Sequence, residues 1–329
     1  MLFQPLRSLK KIRLDGSTEL KEIPNLSNAI NLEKLNLWGC TSLVTLPSSI
    51  QKLNKLRKLS MEECTKLDVL PTDIDLGCLD YLNLSGCSRL RSFPRISRNI
   101  SGLILDGTAI EEEDSFYLEN ISGLTKLDWN GCPLKCLPPG FRPENLVYLT
   151  MRDGKLEKLW EGIQSLGSLV RMDLSGCENL KEFPDLSIAI NLDQLELNDC
   201  KSLVMLPSSI RNLNKLTRLE MQGCTKLKFL PTNVYLESLE YLDLRGCSSL
   251  RSFPRISRNI SELHLNGTAI EEDKYCFFIG DISGLTELIW SNCPMKYLPS
   301  NFCAEHLIEL AMPCSKLEKL WEGIQVKFL

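Results

Sequence analysis

The sequence predicts a solenoid of the α/β class, in which short repeated blocks each add one strand to a parallel sheet. Two observations predict it. The pattern Leu-x-x-Leu-x-Leu-x-x-Cys, as in 32–40, recurs along the 329 residues, and its alternating part is typical of a short strand. A second pattern, Leu-x-x-Leu-Pro, as in 43–47, marks the return segment, where proline disfavours a long helix or a second sheet.

Fourteen such blocks follow one another in steps of 21 to 25 residues, which is the signature of a leucine-rich repeat. They begin at Leu9, Leu32, Leu56, Leu79, Ile100, Leu124, Leu146, Leu169, Leu192, Leu216, Leu239, Ile260, Leu285 and Leu307. Each block packs only on its neighbours. We therefore predict a leucine-rich-repeat solenoid, or horseshoe, with a concave parallel sheet of about 14 short strands. Its convex side should be mostly irregular.

A longer period lies over the short one. The segment 91–101 returns unchanged as 251–261, an offset of 160 residues, which becomes 161 after a one-residue difference near Glu111 and Glu271. Seven blocks were copied together, and we call 9–168 the first copy and 169–329 the second copy. We predict a single array over 1–329. Because no polar capping unit is recognisable at either end, we also expect end-to-end self-association.

Cysteine occupies a fixed slot three residues after the last apolar strand position of most blocks. The slot cysteines are Cys40, Cys64, Cys87, Cys132, Cys177, Cys200, Cys224, Cys247 and Cys293. A small, weakly polar side chain suits the point where the chain turns out of the strand. We predict that these cysteines are structural and lie in the core.

Composition and motifs point away from catalysis and from nucleic acid. The 38 basic and 42 acidic side chains are interspersed, so they form no footprint for DNA or RNA. No apolar run is long enough for a membrane span. Only two histidines occur, and no phosphate loop, nucleophile elbow or zinc-knuckle spacing is present. We therefore predict no catalytic residue, no cofactor and no metal site.

Recognition in a solenoid is expected on the concave face, at the outward slots that flank the second and third Leu of each block. In the first four blocks these slots hold four positive against two negative charges, whereas the last three blocks are acidic. Outward aromatic side chains are candidate hot spots. The candidate partner-binding residues are Lys34, Trp38, Tyr81, Tyr148, Tyr241, Glu262, Glu287 and Glu309. The three glutamates occupy the same slot of successive strands, an arrangement that a sheet alone does not favour.

Longer motifs resemble one family. Leu-Glu-Lys-Leu-Trp-Glu-Gly-Ile-Gln (156–164 and 317–325), and Phe-Pro-Arg-Ile-Ser-x-Asn-Ile followed by Leu-x-Gly-Thr-Ala-Ile (93–110 and 253–270), resemble plant TIR-type nucleotide-binding leucine-rich-repeat disease-resistance proteins, particularly those that recognise downy mildew. The resemblance implies a module that senses a pathogen effector, directly or through a guarded host protein, and restrains a nucleotide-binding switch in cis or in trans. It also implies that NAD hydrolysis belongs to a TIR domain, which this sequence does not contain.

Other functions remain open from the sequence. A free-standing repeat scaffold or adaptor, such as the substrate-recognition part of a ubiquitin ligase, would share the cysteine-bearing blocks. The sequence shows no recognisable ligase-binding motif outside the repeats, nor a signal peptide that an extracellular receptor would need. The many cysteines and the missing signal peptide favour a reducing location, so we expect a cytoplasmic protein, with the nucleus left open as a second location.

Overall fold

The computed structural model describes residues 6–71, 77–92, 97–111, 118–119, 121–231, 235–251, 253, 257–271 and 276–320. The chain forms two compact units, unit 1 (1–154) and unit 2 (155–329). The boundary falls within the last block of the first copy. Within the described residues, no helix has the length and apolar character required to cross a membrane.

Unit 1 contains seven strands of three residues each. They are β1 (Lys11–Arg13), β2 (Lys34–Asn36), β3 (Lys58–Ser60), β4 (Tyr81–Asn83), β5 (Gly102–Ile104), β6 (Lys126–Asp128) and β7 (Tyr148–Thr150). Each strand pairs in parallel with the next one in the chain, and equivalent residues of successive blocks face each other across every pair.

Unit 2 repeats this arrangement with seven more three-residue strands. They are β8 (Arg171–Asp173), β9 (Gln194–Glu196), β10 (Arg218–Glu220), β11 (Tyr241–Asp243), β12 (Glu262–His264), β13 (Glu287–Ile289) and β14 (Glu309–Ala311). They also pair in parallel and in chain order. The fourteen predicted strands and the leucine-rich-repeat solenoid are thus confirmed.

The helical part of the fold is short and lies in the return segments. Among the described residues it includes the 3-10 helices η1 (Ser48–Lys52), η2 (Ser208–Asn212) and η3 (Cys276–Asp281). Pro47 and Pro207 precede η1 and η2 in extended conformation, as the Leu-Pro pattern predicts. The hydroxyl of Ser49 accepts a hydrogen bond from the backbone N–H of Leu26 in the preceding block, at 2.9 Å. Such bonds satisfy buried backbone groups that no sheet serves.

The core runs behind the strands of each unit as a column of leucines. The middle strand residue is Leu or Met and is buried from β2 to β13. Trp129 and Trp290 replace leucine at one position of each copy and are almost fully buried. Side chains at the first and third strand residues, and at the position two residues further on, lie on the opposite side. We call this solvent-facing side of each unit its sheet face.

Candidate protein-interaction face

All nine slot cysteines are buried, as expected for core positions. The structure adds a role that the sequence pattern did not show. The thiol of Cys64 donates a hydrogen bond to the carbonyl of Leu37 in the preceding block, at 3.2 Å. The same bond recurs at 3.0 to 3.3 Å from Cys40, Cys87, Cys200, Cys224 and Cys247. We call this series the thiol ladder.

Burial keeps these thiols protonated. It raises the pKa of Cys64, Cys87 and Cys224 to about 12. The pKa values of Cys200 and Cys247 are raised still further by the same cause. Because a thiolate is the reactive and metal-binding form, the raised pKa values disfavour nucleophilic or metal-binding chemistry at the ladder.

The sheet face of unit 1 begins with a basic column. Lys34, a predicted contact residue, is exposed and lies in register with Lys11 on β1 and Lys58 on β3. Three like charges on adjacent strands repel one another, and the fold itself gains nothing from them. An acidic group from a partner would relieve this repulsion.

Trp38 lies beside this column and is 47% exposed, which is high for so large an apolar side chain. It borders a shallow depression lined by Arg13, Asp15, Asn36, Trp38, Ser60 and Glu62. Arg13 forms an ion pair with Asp15 at 2.7 Å, so the depression has a polar side and an aromatic side. This combination is typical of a contact point for a protein partner.

The two predicted tyrosines of unit 1 differ in accessibility. Tyr148 is 47% exposed on β7. Tyr81 is half-buried, because its ring extends over Gly102 on the next strand, where a Cβ atom would come within 2.7 Å of the ring. The Lys58 ammonium also lies 5.9 Å from the centre of this ring. Tyr148 is therefore the more available of the two for contact with a partner.

The acidic residues predicted at the end of the array lie side by side in unit 2. Glu262 is in register with Glu287, and Glu287 with Glu309, on three adjacent strands. Tyr241 is in register with Glu262 on the preceding strand, so four predicted candidates form one row. The sequence pattern alone was sufficient to place this row.

A second acidic row, which was not predicted, occupies the third strand residue of the middle blocks. Asp173, Glu196, Glu220 and Asp243 occupy that position on β8 to β11, each in register with the next, and His264 follows on β12. We call these four acids the carboxylate row. The signal was present as an acidic residue directly after each middle leucine or methionine.

Arginines on the same face partly neutralise the carboxylate row. Arg171 contacts Glu196 at 2.6 Å, and Arg245 contacts Asp243 at 2.6 Å. Arg218 pairs with Glu220 and its guanidinium also lies 3.6 Å from the centre of the Tyr241 ring. Tyr241 is thus held by a cation–π contact and is half-buried.

Burial of two neighbouring carboxyl groups has an electrostatic cost. Asp173 is fully buried and Glu196 is 8% exposed. Burial, and then the adjacent Asp173, raise the pKa of Glu196 to about 7. The Arg171 guanidinium opposes this shift without cancelling it. The charge of the carboxylate row therefore changes near neutral pH.

Comparison with protein families identifies the repeats. Two models, both described as Leucine Rich Repeat, match residues 31–53 and residues 145–164 and 306–325. Neither the matching families nor the described structure shows a catalytic domain in this chain.

Curated relatives from Arabidopsis thaliana match far more of the chain. It is 53% identical to Disease resistance protein RPP5 over 326 residues, 98% of this chain and 20% of the relative. It is 56% identical to Disease resistance protein RPP4 over 210 residues, 63% of this chain and 18% of the relative. The chain thus spans about a fifth of the length of these relatives.

Solved structures share the fold at low sequence identity. A leucine-rich-repeat protein of Leptospira interrogans aligns with a TM-score of 0.59 at 22% identity, over 95% of this chain and 92% of that one. An internalin of Listeria monocytogenes aligns with a TM-score of 0.53 at 16% identity, over 95% and 86% of the two chains. The fold, the repeat models and the close relatives agree. The chain folds as a leucine-rich-repeat solenoid, and its sequence is similar to part of plant disease-resistance proteins.

Proposed function

We propose that this chain is the protein-recognition module of an intracellular plant immune receptor, acting in the cytoplasm or the nucleus. Its sheet face senses a pathogen effector, directly or through a guarded host protein, and its repeats restrain a nucleotide-binding switch. The observation that carries the proposal is the 53% identity to a disease-resistance protein along 98% of this chain.

The sheet faces support a binding role. Trp38 and Tyr148 are large, exposed aromatics on a rigid sheet, and such residues are enriched among binding hot spots. The basic column of unit 1 and the row formed by Glu262, Glu287 and Glu309 in unit 2 concentrate charge that folding alone does not require. No disulfide joins the cysteines whose side chains the structure describes, which fits a reducing compartment.

A chimaeric receptor tests the proposal. The aligned repeat region of Disease resistance protein RPP5 is replaced by this chain, and the chimaera is expressed in leaf tissue with and without candidate effectors. We expect a receptor that is silent alone and triggers cell death with one effector. Cell death without any effector, at normal protein level, would contradict the restraining role.

Substitutions locate the contact. Trp38→Ala and Tyr148→Ala should each weaken partner binding by about 2 kcal/mol, roughly thirtyfold in Kd, measured by calorimetry with the isolated partner. Tyr235→Ala is the matched control, because Tyr235 is 44% exposed but lies on a return segment. An equal loss in all three variants would argue against recognition by the sheet face.

A further inference from the structure

Two carboxylates and a histidine converge on the sheet face of unit 2. Glu262 and His264 are two residues apart on β12, so their side chains project from the same side of the strand. Glu287 on β13 is in register with Glu262. One ligand-type atom from each of Glu262, His264 and Glu287 lies within 4.8 Å of the other two.

His264 is buried, and its neighbours in the described structure do not provide hydrogen bonds for both of its ring nitrogens. Its side chain is 8% exposed, and its Nε2 atom lies 2.7 Å from Oε1 of Glu287. Its Nδ1 atom has no hydrogen-bond partner among the described residues. A buried polar atom without a partner costs free energy and is uncommon in folded proteins.

The carboxylate of Asp243 faces this Nδ1 atom from the neighbouring strand, with Oδ2 3.8 Å away. Asp243 is itself held by the Arg245 side chain and by the backbone N–H of Arg245, at 3.0 Å. In metal sites, a ligating histidine directs its second N–H toward such a carboxylate, which orients the ring. The same arrangement is present here: the Asp243 carboxylate faces one side of the His264 ring, and the carboxylates of Glu262 and Glu287 lie at the other side.

We propose that Glu262, His264 and Glu287 bind a divalent transition-metal ion of the zinc type, with Nε2 of His264 as the nitrogen ligand. Imidazole with carboxylates suits zinc, whereas magnesium and calcium prefer oxygen ligands throughout. An ion would also offset the repulsion between Glu262 and Glu287 on adjacent strands. With Nε2 bound to the ion, the proton resides on Nδ1 and points toward Asp243.

The first copy provides an internal comparison. At the corresponding positions, 160 or 161 residues earlier, it has Gly102, Ile104 and Lys126. None of these can serve as a zinc ligand in its ordinary protonation state. The three ligands are therefore confined to the second copy, and this inference does not depend on the proposed receptor function.

Zinc and cobalt titrations of the full chain test the proposal. Accessible thiols are first alkylated under native conditions, because cysteines also bind these ions. Calorimetry measures zinc binding, and the visible spectrum of bound cobalt shows whether thiolate is a ligand. We expect one equivalent of saturable binding without a thiolate band. No saturable binding up to millimolar zinc, or a strong thiolate band, would overturn the site.

Variants identify the ligands. His264→Gln, Glu262→Gln and Glu287→Gln should each weaken binding by more than the roughly 10–100-fold that loss of an orienting carboxylate costs. His306→Gln is the matched control, because His306 is the other histidine and is exposed, and it should bind like the parent chain. If circular dichroism shows that His264→Gln is unfolded, the Glu262→Gln and Glu287→Gln variants, at partly exposed positions, decide whether the metal site exists. Parental affinity in folded glutamate variants would refute the assignment.

Discussion

At the scale of single residues, the slot cysteines show how a weak donor becomes a fixed part of a fold. Each thiol of the ladder is buried and donates to a carbonyl of the preceding block. That carbonyl belongs to the residue just after the strand, and it also accepts a backbone N–H from three residues further along the chain, so the thiol fills its second acceptor position. Serine would place a more polar group in the same apolar slot, at a higher desolvation cost.

Thiol reactivity tests this description. With Ellman's reagent near pH 8 we expect Cys78 and Cys314, which are exposed, to react in the native protein. The cysteines of the thiol ladder should react only after unfolding, since burial raises their pKa and excludes the reagent. Mass spectrometry of the modified peptides identifies the sites. Modification of Cys64 or Cys224 in the folded chain would contradict a closed ladder.

The buried carboxyl of Glu196 makes stability depend on pH. Its pKa is about 7 in the folded chain, above the ordinary value, so the folded state binds its proton more tightly than the unfolded state does. This contribution to stability is complete below the unfolded pKa, near 4.5, and is lost as pH rises through 7. We therefore expect urea midpoints to decrease between pH 5 and pH 8.

Glu196→Gln isolates this effect, because a neutral amide of the same shape cannot ionise beside Asp173. The variant should show a flatter pH profile and should be more stable than the parent at pH 8, although it loses the ion pair with Arg171. Glu237→Gln, at an exposed position of unit 2, is the control and should follow the parent profile. If the slope of stability against pH is unchanged in Glu196→Gln, another titratable group causes the pH dependence.

At the scale of the repeat element, the turn after each strand requires a left-handed residue. Glycine fills this position in most blocks, as in Gly39 and Gly246, with φ of 69° and 73°. Glu63 occupies it with φ of 59°, a conformation that costs a residue with a side chain about 1 kcal/mol or more. This turn brings the following cysteine under the strand.

Glu63→Gly should therefore stabilise the chain by about 1 kcal/mol in chemical denaturation. Lys66→Gly, in the same block, is the control: Lys66 is exposed and is not among the residues with positive φ. It should be neutral or destabilising, because glycine there only adds freedom to the unfolded chain. A destabilised Glu63→Gly would show that the Glu63 side chain contributes more than its backbone strain costs.

At the scale of the whole molecule, the repeat pattern predicted the fold strand by strand. Every strand follows the period of the leucines, because the inward-facing middle residue of each strand leaves no other register. The pattern contains the acids of the carboxylate row but did not predict their burial, which depends on how neighbouring strands cover each other's side chains. It also could not show that His264 lies between Asp243 and Glu287, because that contact joins three strands.

A repeat protein responds locally to damage in its core. Leu219→Ala in β10 should cost about 2–5 kcal/mol, and within unit 2 the loss of hydrogen-exchange protection should centre on β9 to β11. Leu59→Ala in β3 is the matched variant in unit 1 and should expose β2 to β4 instead. A uniform loss of protection within the altered unit would show that its blocks unfold together.

The thiol ladder has a consequence for how such an array changes in length. Each block that takes part brings one donor, its cysteine, and one acceptor, the carbonyl after its strand. A block inserted between two others therefore accepts from its successor and donates to its predecessor, and no buried group is left over. A gene for such an array can therefore gain or lose a cysteine-bearing block between two others of the same kind while each new junction keeps its thiol hydrogen bond, so the number of these blocks is free to vary.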